Sequence, residues 1–349
     1  MPLHGDLDGR GAEAFSFTQD PLTGSPRQIS GPQEDAMDIR YFEPLSRAYR
    51  RMLRALFQPF ESRKWFVVGF TAFLAGLTDC HGGNGGGSGG EPVDWEEVIY
   101  FPRHAREWLL ENTHWLALIV FGLMVFVIVL VLLTWLSSRG KFMFLDNVVH
   151  DRARVAAPWY EFRVEGNSLF LWSLTVGFIV LAIVVMYLVR CYSTIVSIYE
   201  ETFEPSALIF PAIGMLLGLI GIFMVAGLLD LLLVDFVVPI MYRSRIRVLA
   251  AWGTFLPLLG SHLFAFVGYA LFTLGLWILI VMGIVIAVIL TCCIGGLLLV
   301  IPYINAVILL PVSYTIRAFS VEFLEQFGQE YQVFPRPLQD GVTTWLPPH

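Results

Sequence analysis

The chain has 349 residues, of which 56% are hydrophobic and only 15% charged, and its formal net charge is −7. Soluble domains usually carry about 25% charged residues, so this composition excludes an ordinary water-soluble protein. The placement of the charges is more informative than their total, because cytoplasmic loops of membrane proteins collect Lys and Arg.

The first 38 residues are polar and rich in Gly, Pro, Asp and Gln. This composition predicts a disordered tail and is unlike a cleavable signal peptide. Residues 40–64 then carry seven basic side chains interleaved with apolar ones at helical spacing. The pattern is typical of a basic amphipathic helix that lies on an anionic membrane surface.

The next apolar run, residues 65–77, is short for a membrane span, which needs about 20 residues. It either crosses a locally thinned bilayer or enters and leaves on the same side. Residues 78–114 contain seven acids, a glycine-rich segment and only two basic residues, Arg103 and Arg106. We therefore expect this loop to be external.

Five further apolar runs are predicted spans: residues 115–136, 168–189, 206–229, 263–290 and 297–315. If the run at 65–77 also crosses, there are six spans, both termini are cytoplasmic, and 19 of the 22 Lys and Arg lie inside, the exceptions being Arg103, Arg106 and Arg190. If it is re-entrant, there are five spans and the sides no longer alternate cleanly.

The predicted fold is therefore all-α, a polytopic helical membrane domain over residues 39–334 with a C-terminal tail at 335–349. The six spans form three hairpins, each preceded by a basic segment with aromatic residues, at 40–64, 139–167 and 243–261. The hairpins are either parallel internal repeats or the simple consequence of six spans with both ends inside.

Two acids, Asp230 and Asp235, end the span that begins at residue 206. Ionisable groups at membrane depth usually face a cavity or a partner. These two either pair with the basic cluster at 243–247 or form a substrate or proton site. In the last predicted span, Tyr303 and Asn305 follow Pro302, and these polar groups either line a ligand cavity or form hydrogen bonds between helices.

Other candidate sites are weaker. The four cysteines, Cys80, Cys191, Cys292 and Cys293, fall on the external side, either as free thiols or with a Cys80–Cys191 bridge. Asp79, Cys80 and His81, with His104 and His114, are candidate metal ligands, but three consecutive residues cannot easily converge on one ion, so we expect no metal site and no cofactor. The basic residues predicted to contact lipid are Arg47, Arg50, Arg51, Arg54, Lys64, Arg243, Arg245 and Arg247.

Several segments resemble a family of uncharacterised bacterial polytopic membrane proteins over residues 38–335. They are LSRAYRRMLRALFQPFESRKWF at 45–66, GKFMFLD at 140–146, GNSLFLW at 166–172, DFVVPIM at 235–241 and FLEQFG at 323–328. More loosely, the hairpins with basic lead-ins resemble the membrane domain of some glycerophosphodiesterases. That likeness implies architecture alone, because the chain lacks a phosphodiesterase domain.

The chain contains no His-Glu-x-x-His, Walker or Gly-x-Ser-x-Gly motif, so we expect no enzymatic activity. We expect a scaffold or envelope-associated component of the bacterial inner membrane that contacts anionic lipid headgroups and no nucleic acid. The alternative is a transporter or lipid-handling protein with a cavity near Asp230, Asp235 and Asn305. The sequence identifies no protein partner.

Overall fold

The computed structural model describes residues 39–78, 95–202, 208–291, 296, 298–299 and 301–335, and all regular secondary structure in these ranges is helical. The helices are α1 (Phe42–Phe57), α2 (Ser62–Ala75), α3 (Trp95–Glu111), α4 (Thr113–His150), α5 (Ala156–Glu161), α6 (Arg163–Thr202), α7 (Ile209–Leu232), α8 (Val238–Ser244), α9 (Val248–Ser261), α10 (Leu263–Leu290), α11 (Pro302–Ile308) and α12 (Leu310–Leu324). A π-helix, Leu233–Val237, joins α7 to α8, and two 3-10 turns, Glu325–Phe327 and Gln329–Tyr331, follow α12.

Four helical segments are long and apolar enough to cross a membrane: Thr113–His150, Arg163–Glu201, Ile209–Ser244 and Leu263–Leu290. A fifth crossing is present if α11 and α12 are counted together, although the chain bends by 64° between them. The structure therefore has the all-helical architecture and the several membrane-compatible helices expected from the sequence, but a count of six spans is not confirmed.

One of the six predicted spans, residues 65–77, falls largely in α2. The helix has 14 residues and is about 21 Å long at 1.5 Å per residue, short of a hydrocarbon core of about 30 Å. Its buried side chains, which include Val68, Thr71 and Leu74, pack against the end of α4 and against α11. Packing against other helices therefore accounts for much of its apolar sequence.

The long helices expose most of their large apolar side chains in four ranges, residues 115–132, 171–189, 209–229 and 274–290, which we call the exposed apolar stretches. In the most apolar 18-residue window of α4 no residue is buried inside the protein. Exposing this much apolar surface to water is strongly unfavourable, so these stretches are suited to contact with lipid.

Most of the buried side chains form a helical core at one end of the long helices, and a small separate cluster contains Val196 and Leu208. The helical core comprises α1, α2, residues 137–150 of α4, residues 232–258, the first turns of α10, and α12 with the turns after it. Helices α2 and α4 approach each other closely at Gly140, where an added Cβ would lie 2.6 Å from backbone atoms of Leu74 and Ala75.

The two helices that flank the glycine-rich segment pack at opposite ends of the long helices. Lys64 at the start of α2 pairs with Asp151 at 2.9 Å, and the Ser137 hydroxyl donates to the Ala75 carbonyl at 2.8 Å. Arg103 of α3 instead lies 3.8 Å from Glu200, near the far end of α6. α2 therefore lies beside residues 137–151 at one end of the long helices and does not make the crossing predicted for residues 65–77, whereas α3 contacts the other end.

Several sequence predictions concern parts of the chain that lie outside the described residues. These are the tails at 1–38 and 336–349, the glycine-rich segment, Ser206, Asp79, Cys80, His81, Cys292 and Cys293. Cys191 is described and is half-buried on α6.

Candidate functional site

The most unusual backbone in the core is the π-helix that contains Asp235. The Val238 amide donates to the Leu233 carbonyl, five residues back. Residue 239 is the next donor in this series and would bond the Val234 carbonyl, but it is a proline and has no N–H. Arg317 of α12 supplies the missing donor, with Nη1 2.6 Å from the Val234 oxygen.

Asp235 accompanies that arginine inside the core. Its Oδ1 lies 3.9 Å from Arg317 Nη1, and its Oδ2 accepts a hydrogen bond from the Tyr269 hydroxyl at 3.0 Å. The rings of Phe236, Phe319 and Phe323 surround Tyr269, with centroids within 5.2 Å. A buried charge is tolerated when it is paired and hydrogen-bonded, so these contacts give Asp235 and Arg317 a structural role.

Asp230 lies about one and a half turns before Asp235 and contacts a different helix. Its carboxylate lies 3.9 Å from Nζ of Lys141 on α4. The Lys141 side chain is only 6% exposed. The partners that the sequence suggested for the two acids were arginines in the 243–247 segment, of which Arg245 pairs with Glu161 and Glu165 instead.

Tyr303 and Asn305 lie on α11, which packs against α2. The Tyr303 hydroxyl donates to the Phe66 carbonyl at 3.1 Å. The Asn305 side-chain oxygen is buried and has no hydrogen-bond donor among the described residues. The contacts of Asp230, Asp235 and Tyr303 thus point to four different helices, α4, α10, α12 and α2, and they do not assemble these side chains into one site.

A second buried polar cluster was not predicted from the sequence. The Asp146 carboxylate accepts hydrogen bonds from the Tyr242 hydroxyl at 2.9 Å and from Arg152 Nη2 at 3.2 Å, and it lies 3.0 Å from His150 Nδ1. The four groups join α4 to α8 and to the segment before α5. The i, i+4 spacing of Asp146 and His150 was the available signal, but the predicted span ended at residue 136.

The predicted lipid-contacting residues divide into two groups. Four of them are paired inside the protein: Arg47 and Arg51 with Glu322, Lys64 with Asp151, and Arg245 with Glu161. The other four, Arg50, Arg54, Arg243 and Arg247, are exposed and have no ion pair among the described residues. Only the second group is available to an external anion without breaking a contact.

The apolar face of α1 also differs from the expectation of a helix lying freely on lipid. Met52 and Leu56 are buried, and the helix packs along α12. Tyr49 and Phe57 remain exposed beside Arg50 and Arg54. The amphipathic pattern that suggested a membrane-surface helix therefore arises largely from packing against protein.

A polar cavity of about 270 Å³ lies beside α1 and α12. It is lined by Arg47, Glu322, Glu325, Gln326, Gly328, Gln329 and Gln332. Ligand pockets usually measure roughly 300–1,000 Å³ and are mostly apolar, so this cavity has neither the usual size nor the usual lining. Within the described ranges no three His, Cys, Asp or Glu side chains are grouped closely enough to hold a metal ion.

Comparison with known proteins gives a family but no activity. No curated protein and no solved structure matches the chain, and no similarity to a glycerophosphodiesterase is shown. Residues 40–333 match the sequence model of a Family of unknown function (DUF7544), and this range is close to the one over which the resemblance was noted. Because the match covers well over half of the 349 residues, the chain belongs to this family of unknown function.

Proposed function

We propose that the protein is a non-enzymatic integral membrane scaffold of the bacterial inner membrane, whose basic surface binds anionic lipid headgroups. The observation that carries the proposal is the grouping of unpaired arginines with exposed apolar side chains at the core end of the long helices. Each Lys or Arg near an anionic surface contributes about 1 kcal/mol, so several acting together are needed.

Two segments supply this grouping. Arg50 and Arg54 of α1 lie on the same helix as exposed Tyr49 and Phe57. Arg243 and Arg247 flank the turn into α9, where Leu249 and Leu256 are 69% and 53% exposed and lie seven residues apart, on one face of the helix. A basic and apolar surface of this kind favours the interfacial region of a membrane.

The same grouping supports cytoplasmic termini, because basic residues concentrate on the cytoplasmic side. The core end of the long helices carries these four arginines, whereas Arg103, Arg106 and Arg190 were the exceptions assigned to the opposite side. The transporter alternative has less support, because the contacts of Asp230, Asp235 and Tyr303 lie on four different helices.

The test compares full-length protein in nanodiscs of phosphatidylcholine with nanodiscs that also contain phosphatidylglycerol. We expect the anionic lipid to raise the unfolding temperature of the wild type, and to raise it much less for a variant with Arg50, Arg54, Arg243 and Arg247 all changed to Gln. The increase should also diminish at high salt.

The matched control changes Arg106 and Arg190 to Gln, since both are exposed and have no ion pair among the described residues. This control should respond to phosphatidylglycerol like the wild type. An equal response in the fourfold variant and the wild type would contradict lipid binding by these arginines. Solute uptake into proteoliposomes that is abolished by Asp230→Asn would favour the transporter instead.

A further inference from the structure

One basic side chain in the core lacks the kind of partner that all comparable ones have. Six Lys or Arg side chains are buried or half-buried in the described part of the chain: Arg51, Lys64, Arg139, Lys141, Arg152 and Arg317. Five of these six have a carboxylate oxygen within 4 Å. Arg139 of α4 is the exception, and no described carboxylate forms an ion pair with it.

Other contacts hold the Arg139 side chain in place. Its Cζ lies 4.5 Å from the ring centre of Trp135 and 4.9 Å from that of Trp159. Nη2 donates to the Asn167 side-chain oxygen at 3.1 Å, and a Cβ at Gly166 would lie 3.0 Å from Arg139 Cγ. The guanidinium therefore lies against two adjacent indole rings, and these contacts restrict its movement toward a distant counterion.

A second positive charge lies nearby. Arg163 is the first residue of α6 and is exposed, and it lies about one turn before Asn167, the residue that accepts the Arg139 hydrogen bond. Arg163 likewise has no ion pair within the described ranges. An anion that both guanidinium groups contact would offset the repulsion between their positive charges.

The level of Arg139 along α4 indicates which kind of anion can reach its side chain. On α4, Leu132 is the last strongly exposed apolar residue, and from Ser137 to Val149 the helix is buried except at the half-buried Arg139. On α6, Leu169 is buried and Leu171 is exposed. Arg139 and Asn167 therefore lie where the exposed apolar stretches meet the helical core, and Trp135 lies at the same level. Tryptophan is enriched at this depth, where phospholipid headgroups reside.

We propose that Arg139 and Arg163 bind the phosphate group of a membrane phospholipid. The planar fork of an arginine matches the oxygen geometry of a phosphate, and one described hydrogen bond leaves most of the Arg139 donors unused. The lipid chains would lie along the exposed stretches of α4 and α6. This site shares no residue with the basic surface proposed above, so either proposal can fail without the other.

The test titrates detergent-purified, delipidated full-length protein with phosphatidylglycerol and counts bound lipid by native mass spectrometry. We expect Arg139→Gln and Arg163→Gln each to weaken binding of the most tightly held lipid by roughly tenfold, the effect of about 1.4 kcal/mol. The control is Arg154→Gln, because Arg154 is exposed at the same end and its described hydrogen bonds use only its backbone. If Arg139→Gln fails to fold, Arg163→Gln alone tests the proposal, because Arg163 is exposed.

The chemistry of the ligand is tested with three further probes. Phosphatidylcholine should occupy the site because it carries a phosphate, whereas diacylglycerol should not, and inorganic phosphate should not displace phosphatidylglycerol. Equal binding by wild type and both variants would overturn the proposal, and so would equal loss in Arg154→Gln. Retention of diacylglycerol would exclude phosphate recognition, and displacement by inorganic phosphate would show that the site binds the free ion.

Discussion

The two parts of α4 form one continuous helix in two different environments. Residues 115–132 expose nearly all of their apolar side chains, whereas residues 137–149 are buried almost without interruption. The buried part nevertheless contains Lys141, Asp146 and Asn147, and the exposed part contains no charged residue. Hydrophobicity and burial are therefore inversely related along this helix, as expected when lipid is the solvent for one part and protein packing surrounds the other.

The same contrast extends to the whole molecule. The apolar stretches of α6, α7 and α10 are exposed like the first part of α4. The helical core instead contains the buried acids and their partners. Stability in the core depends on specific contacts, because a tightly packed interior cannot absorb a lost or added group. In the exposed stretches it depends mainly on contact with an apolar solvent.

The largest expected effect comes from matched phenylalanines on α4. Phe142 is fully buried and stacks on Phe162 with ring centres 5.8 Å apart, whereas Phe126 is 57% exposed. Phe142→Ala should lower the free energy of unfolding in detergent by about 4 kcal/mol, because it leaves a cavity. Phe126→Ala serves as the control and should change it little. Similar losses for both variants would contradict the division of α4 into two environments.

A slightly smaller loss is expected at Arg317. Arg317→Met should destabilise the protein by about 3 kcal/mol, since it leaves the Val234 carbonyl without a donor and the Asp235 carboxylate without its cation. Tyr269 still donates to Asp235, which limits the loss. Unfolding in mixed micelles measures the change, with Arg106→Met as an exposed control. A loss no greater than that of the control would show that the arginine is dispensable to the core.

These contrasts also show what hydropathy can and cannot predict. The segments of α4, α6, α7 and α10 that suit a bilayer were located from the sequence, because length and the absence of charge are local properties. The span predicted to end at residue 136 belongs to a helix that continues to His150. The bilayer boundary changes the composition of this helix without ending it, so hydropathy cannot find the helix terminus.

The contacts of the buried polar groups were not predictable for a different reason. Tyr242 and Asp146 are 96 residues apart, and Arg317 meets the Val234 carbonyl over 83 residues. Pro239 indicated a disturbed helix, but the π-helical register that decides which carbonyl loses its donor depends on tertiary packing. The sequence singled out Asp235 and suggested partners in the 243–247 segment, whereas the contacts that the structure shows come from α12 and α10.

A pair of glycines on α4 tests the packing contrast without removing any side chain. An added Cβ at Gly140 would meet backbone atoms of α2 at 2.6 Å, whereas at Gly122 it would meet nothing within 4 Å. Gly140→Ala should therefore lower the free energy of unfolding by about 2 kcal/mol, because backbone atoms cannot move aside cheaply. Gly122→Ala should cause no loss. Equal effects of Gly140→Ala and Gly122→Ala would contradict the difference in packing between the two parts of α4.

The smallest effect tests why the core contains an arginine at position 317. In a Pro239→Ala variant the new backbone N–H can donate to the Val234 carbonyl, the acceptor that Arg317 now serves. Arg317→Met should then destabilise the Pro239→Ala background by about 1 kcal/mol less than it destabilises the wild type, the worth of one hydrogen bond. A double-mutant cycle in mixed micelles measures this coupling. Strictly additive effects would mean that Arg317 stabilises the protein through Asp235 alone. The hydrogen bond to the Val234 carbonyl would then contribute nothing measurable.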